Sequence, residues 1–365
     1  MNDQFKRIGI LTGGGDAPGL NAVIRAAVLT GHHRYGYEMV GIREGFDGLL
    51  NHLPLVELNP AAVRGLHMRG GTILGAANRG SPFARPVKQP DGTVVKADVS
   101  HEAVERLNEL EIDALIVAGG DGTMGICSKL LDKGVKIVGV PKTIDNDLGG
   151  TDVTFGFDTA VWTATEALDK LQTTAESHHR VMVLEVMGRH AGWIAISAGV
   201  AGGADVILLP EIPFTLSAVY NKIRDINLAG RRYSLIVVAE GAHPADGEQQ
   251  YYIGEKGEAN ARLGGIGDFV GQAISDELQA EVRVTVLGHL QRGGQPSPRD
   301  RWLSTRFGSM AMNFVAQGKW GQMVALRGTT LVGIPIREAA RTNFVDPNGE
   351  MVKMARDLGI TLGDE

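Results

Sequence analysis

A single cysteine, Cys127, occurs in the 365 residues of this chain, so no internal disulfide can form and a reducing compartment is the natural setting. Long apolar runs are also missing, and no stretch approaches the length of a membrane span. The opening residues Met1-Asn2-Asp3-Gln4-Phe5-Lys6-Arg7 hold no apolar signal core, which points to a cytoplasmic protein. Positive charge is not in excess: 36 Lys and Arg stand against 42 Asp and Glu, for a formal net charge of -6. Without a basic stripe, nucleic acid is an unsuitable partner. Internal repeats, low-complexity stretches and charge blocks are absent too, which excludes solenoid and disordered architectures. The pairs His32-His33 and His178-His179 stand too isolated for a metal site and read as helix-end residues. Cys127 reads as a small buried hydrophobe.

Glycine is plentiful, at 50 residues, as in chains with many strand-to-helix turns. Short apolar runs at residues 8–11, 38–42, 114–118, 136–140, 180–186, 206–209 and 234–239 read as strands, and the segments between them as crossover helices. That alternation predicts an α/β protein with parallel-rich sheets. The strands are too many for one compact sheet. The expected architecture is two similar doubly wound, Rossmann-like lobes with the active site in the cleft between them. Asp91-Gly92 marks a hairpin inserted before residue 114.

The chemistry concentrates where two of these strands end. Gly119-Gly120-Asp121-Gly122-Thr123 follows the run at 114–118, and Pro141-Lys142-Thr143-Ile144-Asp145-Asn146-Asp147 follows the run at 136–140. In an open α/β sheet ligands bind outside the carboxyl ends of strands. An unpartnered buried carboxylate costs several kcal/mol, so three aspartates at such an edge call for a cation, a proton donor or water. The glycines let backbone N–H groups approach an anion, and Thr123 can place a hydroxyl near a phosphate or Mg²⁺. In an extended segment Asp145 and Asp147 would face the same side, one holding metal or its water and the other accepting a hydroxyl proton. Capping of the next helix explains Gly and Asp in each segment, but not the Lys142-Thr143 insertion. A third glycine-rich turn, residues 13–19, joins the strand at 8–11 to an apolar helical pattern at 20–28.

These segments, with Met187-Gly188-Arg189 and Leu287-Gly288-His289-Leu290-Gln291-Arg292-Gly293-Gly294, resemble in order the motifs of the 6-phosphofructokinase family, from about residue 6 to 320. The long-chain bacterial members of mixed donor use are the most similar. The resemblance implies transfer of a phosphoryl group from ATP to O1 of fructose 6-phosphate with Mg²⁺. By position, Asp145 matches the general base, Asp121 the Mg²⁺ ligand and Asp147 a water-mediated metal partner, while Thr143 and Arg189 match groups that contact the transferring phosphoryl. Gly15, Asn78, Arg79, Gly120, Asp121, Gly122 and Thr123 fall on donor-binding positions. Thr143, Asp145, Arg180, Met187, Gly188, Arg189, Glu240, Arg283, His289 and Arg292 fall on those for fructose 6-phosphate. In the family Arg180 and Arg283 reach across from a neighbouring subunit, which implies a homodimer or homotetramer with shared sites. The donor lobe would comprise residues 1–156 plus about 291–340 and the sugar lobe 157–290, with 341–365 an extension of no assigned role.

Two departures bear on the donor. Lys142 replaces a glycine of the better-known ATP enzymes and is associated with pyrophosphate use. Gly122 is retained where pyrophosphate enzymes carry aspartate, whose carboxylate would repel a nucleotide α-phosphate. ATP is therefore the expected donor and pyrophosphate the alternative, since a clash excludes more firmly than a lysine attracts. Phe46 stands where a tyrosine covers adenine, and Ile126 replaces a donor-site glycine. Arg25 and Arg231 match basic residues of the bacterial effector site, but Leu29, Tyr233 and Asp205 depart from it, so little effector control is expected. A nicotinamide-dependent dehydrogenase would need a G-x-G-x-x-G first turn, which is absent. A catalytically silent sugar-phosphate-binding regulator would lack the base or the metal ligand, and here Asp121, Asp145 and Asp147 are all present.

Overall fold

The computed structural model describes residues 7–77, 80–90, 92–247, 249, 251–253 and 262–365. By contacts the chain forms two units. The first takes residues up to Ile144 with Leu148–Asp158 and Arg292–Thr342, and the second Asp145–Asp147, Thr159–Gln291 and Asn343–Glu365.

The chain begins with β1 (Arg7–Thr12), a glycine turn and α1 (Leu20–Thr30). A π turn at Gly31–Tyr35 ends that helix and carries His32 and His33. Next come β2 (Glu38–Gly41), α2 (Phe46–Leu50) and β3 (Val56–Leu58), then the hairpin β4 (Arg85–Lys88) and β5 (Val94–Ala97). Asp91, in the expected turn of that hairpin, lies outside the described residues. α3 (Ser100–Glu109), β6 (Ala114–Gly119), α4 (Asp121–Leu131), β7 (Ile137–Thr143) and the two-residue β8 (Phe155–Gly156) complete this stretch.

α5 (Phe157–His178) leads to β9 (Val181–Val186), α6 (Trp193–Ala201), β10 (Val206–Leu208), α7 (Leu216–Leu228) and β11 (Ser234–Ala239). β12 (Tyr251–Ile253) and β13 (Arg262–Leu263) form a small antiparallel pair before α8 (Ile266–Leu278) and β14 (Val282–Val286). The chain closes with α9 (Pro298–Ala316), β15 (Gln322–Arg327), β16 (Thr330–Pro335), α10 (Ile336–Ala339) and α11 (Glu350–Asp357).

The first unit holds an eight-stranded sheet in the order β16-β15-β7-β6-β1-β2-β3, with β8 beside β7. Its interior pairs are parallel, while β3 and β16 add antiparallel edges. Both faces are covered, which is why β6 is buried at every position. One core gathers Ile8, Ile10, Ile116 and Val138 with α1 and α9, and the other gathers Leu11, Leu115, Val117 and Ile137 with α3 and α4.

The second unit holds an all-parallel sheet in the order β10-β11-β9-β14. α7 and α8 pack on one face through Val219, Ile223, Val270 and Ile274. The seven expected strands are all present: β1, β6 and β7 run longer than expected, while β2, β9 and β10 are each a residue shorter. β3, β8, β12, β13, β14, β15 and β16 lie outside the expected runs. The C-terminal residues belong to the second unit, where Thr361 bridges Val206 and Leu362 is fully buried.

Candidate active site

In the first unit, β7, β6 and β1 are neighbours, and their carboxyl ends come out together: Thr12 lies beside Ala118, and Gly119 beside Pro141. Gly13 N–H continues the ladder to the Ala118 carbonyl at 2.8 Å. The glycines here are required by close approach. A Cβ at Gly13 would come within 2.7 Å of Thr123, and one at Gly119 within 2.3 Å. The Thr123 side chain is itself buried and occupied in this packing, so it supports the strand ends rather than facing solvent.

α4 starts at once after Gly120, whose side-chain-free N-cap leaves the first N–H groups of the helix without a cap. Asp121 and Gly122, its first two residues, are exposed, and a Cβ built on Gly122 would meet no atom within 4 Å. A helix start of this kind presents aligned N–H groups and a positive dipole end to an anion. Among the described residues no group of three or more His, Cys, Asp or Glu gathers as a metal cage. A lone exposed carboxylate nevertheless suits Mg²⁺, which keeps several waters and is held through one or two carboxylates plus substrate phosphates.

Lys142, the donor-ambiguous residue, is only 4% exposed. Its Nζ donates to the Gly15 carbonyl at 2.6 Å, fastening the turn after β1 to the end of β7. Sequence gave no sign of this bond, because the partners lie 127 residues apart. Thr143 is buried, and its carbonyl accepts from Thr154 Oγ1 at 2.7 Å. Arg292 donates to the Asp16 carbonyl at 2.9 Å, beside the same turn. Asn21, also missed, donates to the carbonyls of Arg69 and Gly70 and accepts from Ile73 N–H, which fixes the loop leading to the expected donor residues. Asn78 and Arg79 themselves lie outside the described residues. Phe46, at the position of the adenine-covering tyrosine, is 3% exposed and part of the core, so its ring packs inside the protein rather than standing free to cover a base.

The extended geometry expected for residues 145–147 is also corrected. Strand β7 ends at Thr143, and Asn146 adopts a left-handed φ of 53°. The chain bends there, so alternation along a strand does not orient Asp145 and Asp147. Asparagine tolerates this conformation better than most side chains do.

In the second unit the predicted sugar-site residues divide between the two ends of one sheet. Met187, Gly188 and Arg189 follow β9, and Glu240 follows β11. The two segments touch closely: Glu240 N–H donates to the Val186 carbonyl at 2.8 Å, Gly241 N–H donates to the Gly188 carbonyl at 3.1 Å, and a Cβ at Gly241 would lie 2.1 Å from the Arg189 carbonyl. His289 follows β14 in a short helical turn, Gly288–Gln291. The buried Gln291 ties that turn to the others by accepting from Met187 N–H at 2.8 Å. Arg180 and Arg283 sit at the opposite end, with Arg180 just before β9 and Arg283 beside Met182. Both pair with Glu281, at 2.7 and 2.5 Å, and the hydrogen bond from Arg180 holds the Glu281 carboxyl below its ordinary range.

Away from these groups, Arg231 pairs with Asp205 and lies over the Tyr233 ring at 5.0 Å. Cys127 is buried, and burial raises its thiol well above the ordinary range, as suits a core residue rather than a nucleophile. His178 closes α5, and His179 follows it with a left-handed φ of 54°.

Known proteins are similar to this chain over nearly its full length. The family profile described as Phosphofructokinase matches residues 7–315. An ATP-dependent 6-phosphofructokinase of Chloroflexus aurantiacus is 52% identical, with 100% of each chain covered. A pyrophosphate–fructose 6-phosphate 1-phosphotransferase of Streptomyces coelicolor is 50% identical, covering 98% of this chain and 100% of the relative. The crystal structure of Pichia pastoris phosphofructokinase in the T-state superposes with a TM-score of 0.78 at 30% identity, over 93% of this chain and 38% of that one. With the strand-end glycines and aspartates in place and a match across nearly its full length, the chain belongs to the phosphofructokinase family.

Proposed function

We propose that the protein is an ATP-dependent 6-phosphofructokinase, which transfers the γ-phosphoryl group of ATP to O1 of fructose 6-phosphate. The first unit, with the donor residues Gly15, Gly120, Asp121 and Gly122, takes the nucleotide. Met187, Gly188, Glu240 and His289 of the second unit take the sugar. Arg292 adds a phosphate contact. Asp145 accepts the O1 hydroxyl proton as the bond from O1 to the γ-phosphorus forms and the bond from that phosphorus to the β-phosphate oxygen breaks, releasing ADP. Thr143 and Arg189 supply donors to the charge that develops on the transferring group. Mg²⁺, held by Asp121 with water-mediated help from Asp147, would neutralise the donor phosphates. The proposed setting is the cytoplasm.

The observation that carries the ATP assignment is the open space at Gly122. Gly122 itself places no carboxylate where it would compete with a nucleotide phosphate, and the Chloroflexus relative is named for ATP. Pyrophosphate is the second reading, favoured by Lys142 and by the name of the Streptomyces relative. The bond from Lys142 to Gly15 weakens it, because it gives the lysine work within the protein.

We further propose a homodimer or homotetramer in which Arg180 and Arg283 complete the sugar-phosphate site of a neighbouring copy. The six residues of β9 separate them from Met187 and Arg189 within one chain, about 20 Å of strand, farther than an arginine side chain extends. Phosphorylation of fructose 6-phosphate with Mg²⁺ and either ATP or pyrophosphate, assayed in parallel, tests the donor: faster turnover with ATP is expected, and a clear preference for pyrophosphate would reject it. Tight sugar-phosphate binding without turnover on either donor would instead make the protein a non-catalytic regulator.

A further inference from the structure

The C-terminal segment, which the sequence left without a role, runs beside two segments of the proposed chemistry. Asn343 N–H donates to the Asp147 carbonyl at 2.7 Å, and the Asn343 carbonyl accepts from Trp193 Nε1 at 2.9 Å. Two residues on, Val345 N–H donates to Glu211 Oε1 at 2.9 Å. The same carboxylate accepts from Gly192 N–H, at 3.0 and 3.1 Å. The tail is then held down beyond this point: Val345 and Val352 are buried, Ile207 N–H donates to the Thr361 carbonyl at 3.0 Å, and Thr215 N–H donates to the Gly363 carbonyl at 2.7 Å. All of these groups belong to the second unit.

We propose that residues 343–345 form a positioning strap, in which Trp193, Asn343 and Glu211 hold the backbone that carries Asp145 and Asp147 in register with the loop that carries Arg189. The inference rests on the phosphoryl-transfer reading above. Both held segments contain backbone of uncommon conformation, with a φ of 53° at Asn146 and of 143° at Gly188. Glycine takes such a φ freely and asparagine tolerates the left-handed region, so the surroundings select these conformations from several the two segments could adopt. A half-buried indole N–H and a half-buried carboxylate do so here with directional bonds. Burial raises the Glu211 carboxyl above the ordinary range, although the backbone N–H groups of Val345 and Gly192 partly oppose it. The group is thus kept in an environment that costs it solvation, which a purely local cap on α6 would not require. Trp193, Asn343 and Glu211 are positioning residues: none is placed against substrate. A displacement of about 1 Å in a reacting group can cost on the order of a hundredfold in rate, so a loosened strap should appear in turnover before it appears in stability.

Two variants test the strap in the full-length protein. Trp193→Phe keeps an aromatic body and removes the Nε1–H donor, while Asn343→Pro removes the N–H that meets Asp147. We expect turnover to fall about tenfold in each, KM for fructose 6-phosphate to change less than about threefold, and the melting temperature to stay within a few degrees. Hydrogen exchange at the Val345 amide should quicken in both. Glu211→Gln, which keeps one acceptor oxygen, should retain more activity than Glu211→Ala. Unchanged turnover in both Trp193→Phe and Asn343→Pro would overturn the strap, as would a loss that follows the fraction of unfolded protein. If the wild-type protein transfers phosphate from neither donor, the functional reading fails on its own. The strap is then judged by hydrogen exchange, where an unaltered Val345 amide in Trp193→Phe rejects it.

Discussion

Asp145 and Gly122 bear opposite kinds of evidence, one a residue whose chemistry is demanded and the other a residue whose side chain is missing. Asp145 follows Thr143 at the end of β7, in a bend set by the left-handed Asn146. As the proposed base it contributes only when the sugar hydroxyl is deprotonated. Asp145→Asn should therefore lower kcat by about 10²–10⁴ while the dissociation constant for fructose 6-phosphate stays within a few-fold. A comparison of single-turnover rates with equilibrium sugar binding checks this, and a parallel loss of both would remove Asp145 from the base role. Gly122 is exposed, with no atom within 4 Å of a built Cβ, so Gly122→Asp has room to form without repacking. An aspartate in the first turn of α4 is even favourable to the helix, by about 0.3–1 kcal/mol. Any loss of ATP use in that variant is then electrostatic rather than structural. We expect kcat/KM for ATP to fall much further than that for pyrophosphate, with the melting temperature unchanged or slightly raised. Equal losses on the two donors would show that Gly122 does not select between them.

Among the elements, α8 shows how one buried carboxylate can organise a helix start. Its N-cap is Gly265, which offers no side chain. Glu185, on β9, reaches over and accepts from Gly267 N–H at 2.8 Å. Burial is the main cause that raises the Glu185 carboxyl above its ordinary value, and the backbone donors at Gly267 and Gly265 only partly oppose it. A raised carboxyl binds its proton more tightly in the folded protein than in the unfolded chain. The stability of the wild type therefore falls as pH rises from the unfolded value through the folded one, and levels off above it. Glu185→Gln cannot titrate, so its melting temperature relative to wild type should climb as the pH is raised above the ordinary carboxylate range. A difference that shrinks over that range would contradict the assignment. Neither Glu185 nor α8's dependence on it was legible in the sequence, because the residue lies inside an apolar strand pattern and its partners come 80 residues later. What the sequence does announce is local. The runs at 114–118 and 234–239 appear as β6 and β11 almost residue for residue, since strands buried on both faces are written as continuous apolar stretches. β15 and β16 were missed although Gly328 takes a positive φ of 57° in a two-residue hairpin turn between them. That signal, a glycine in a short turn between apolar stretches, was available and weaker than the parallel pattern around it. At the site, the aspartates and glycines could be named from type and spacing. The bond from Lys142 to Gly15 and the clamp from Asn21 to residues 69–73 could not, because they are set by the sheet order that brings β7, β6 and β1 together.

For the whole molecule, the decisive fact is that one sheet carries the proposed sugar-site residues at both of its ends. Met187, Arg189 and Glu240 come at the carboxyl ends of β9 and β11, whereas Arg180 and Arg283 come at the amino ends of β9 and β14 and share Glu281. If two copies exchange these arginines, each site is built from one chain's Asp145 and another chain's Arg180. An oligomer of Asp145→Asn subunits lacks the base at every site, and an oligomer of Arg180→Ala subunits lacks the arginine at every site. A mixed dimer places both defects in one site and leaves its other site intact. Random reassortment of equal amounts makes half of the dimers mixed, so about a quarter of wild-type activity should return on mixing under conditions that let subunits exchange. Neither variant alone should show more than a small residue of that activity, and the recovered enzyme should have the wild-type KM for fructose 6-phosphate, since its working sites are unaltered. Activity of the mixture no greater than the mean of the two separate variants, with exchange demonstrated by differently tagged subunits, would mean that Arg180 serves its own chain and that the shared-site assembly is wrong.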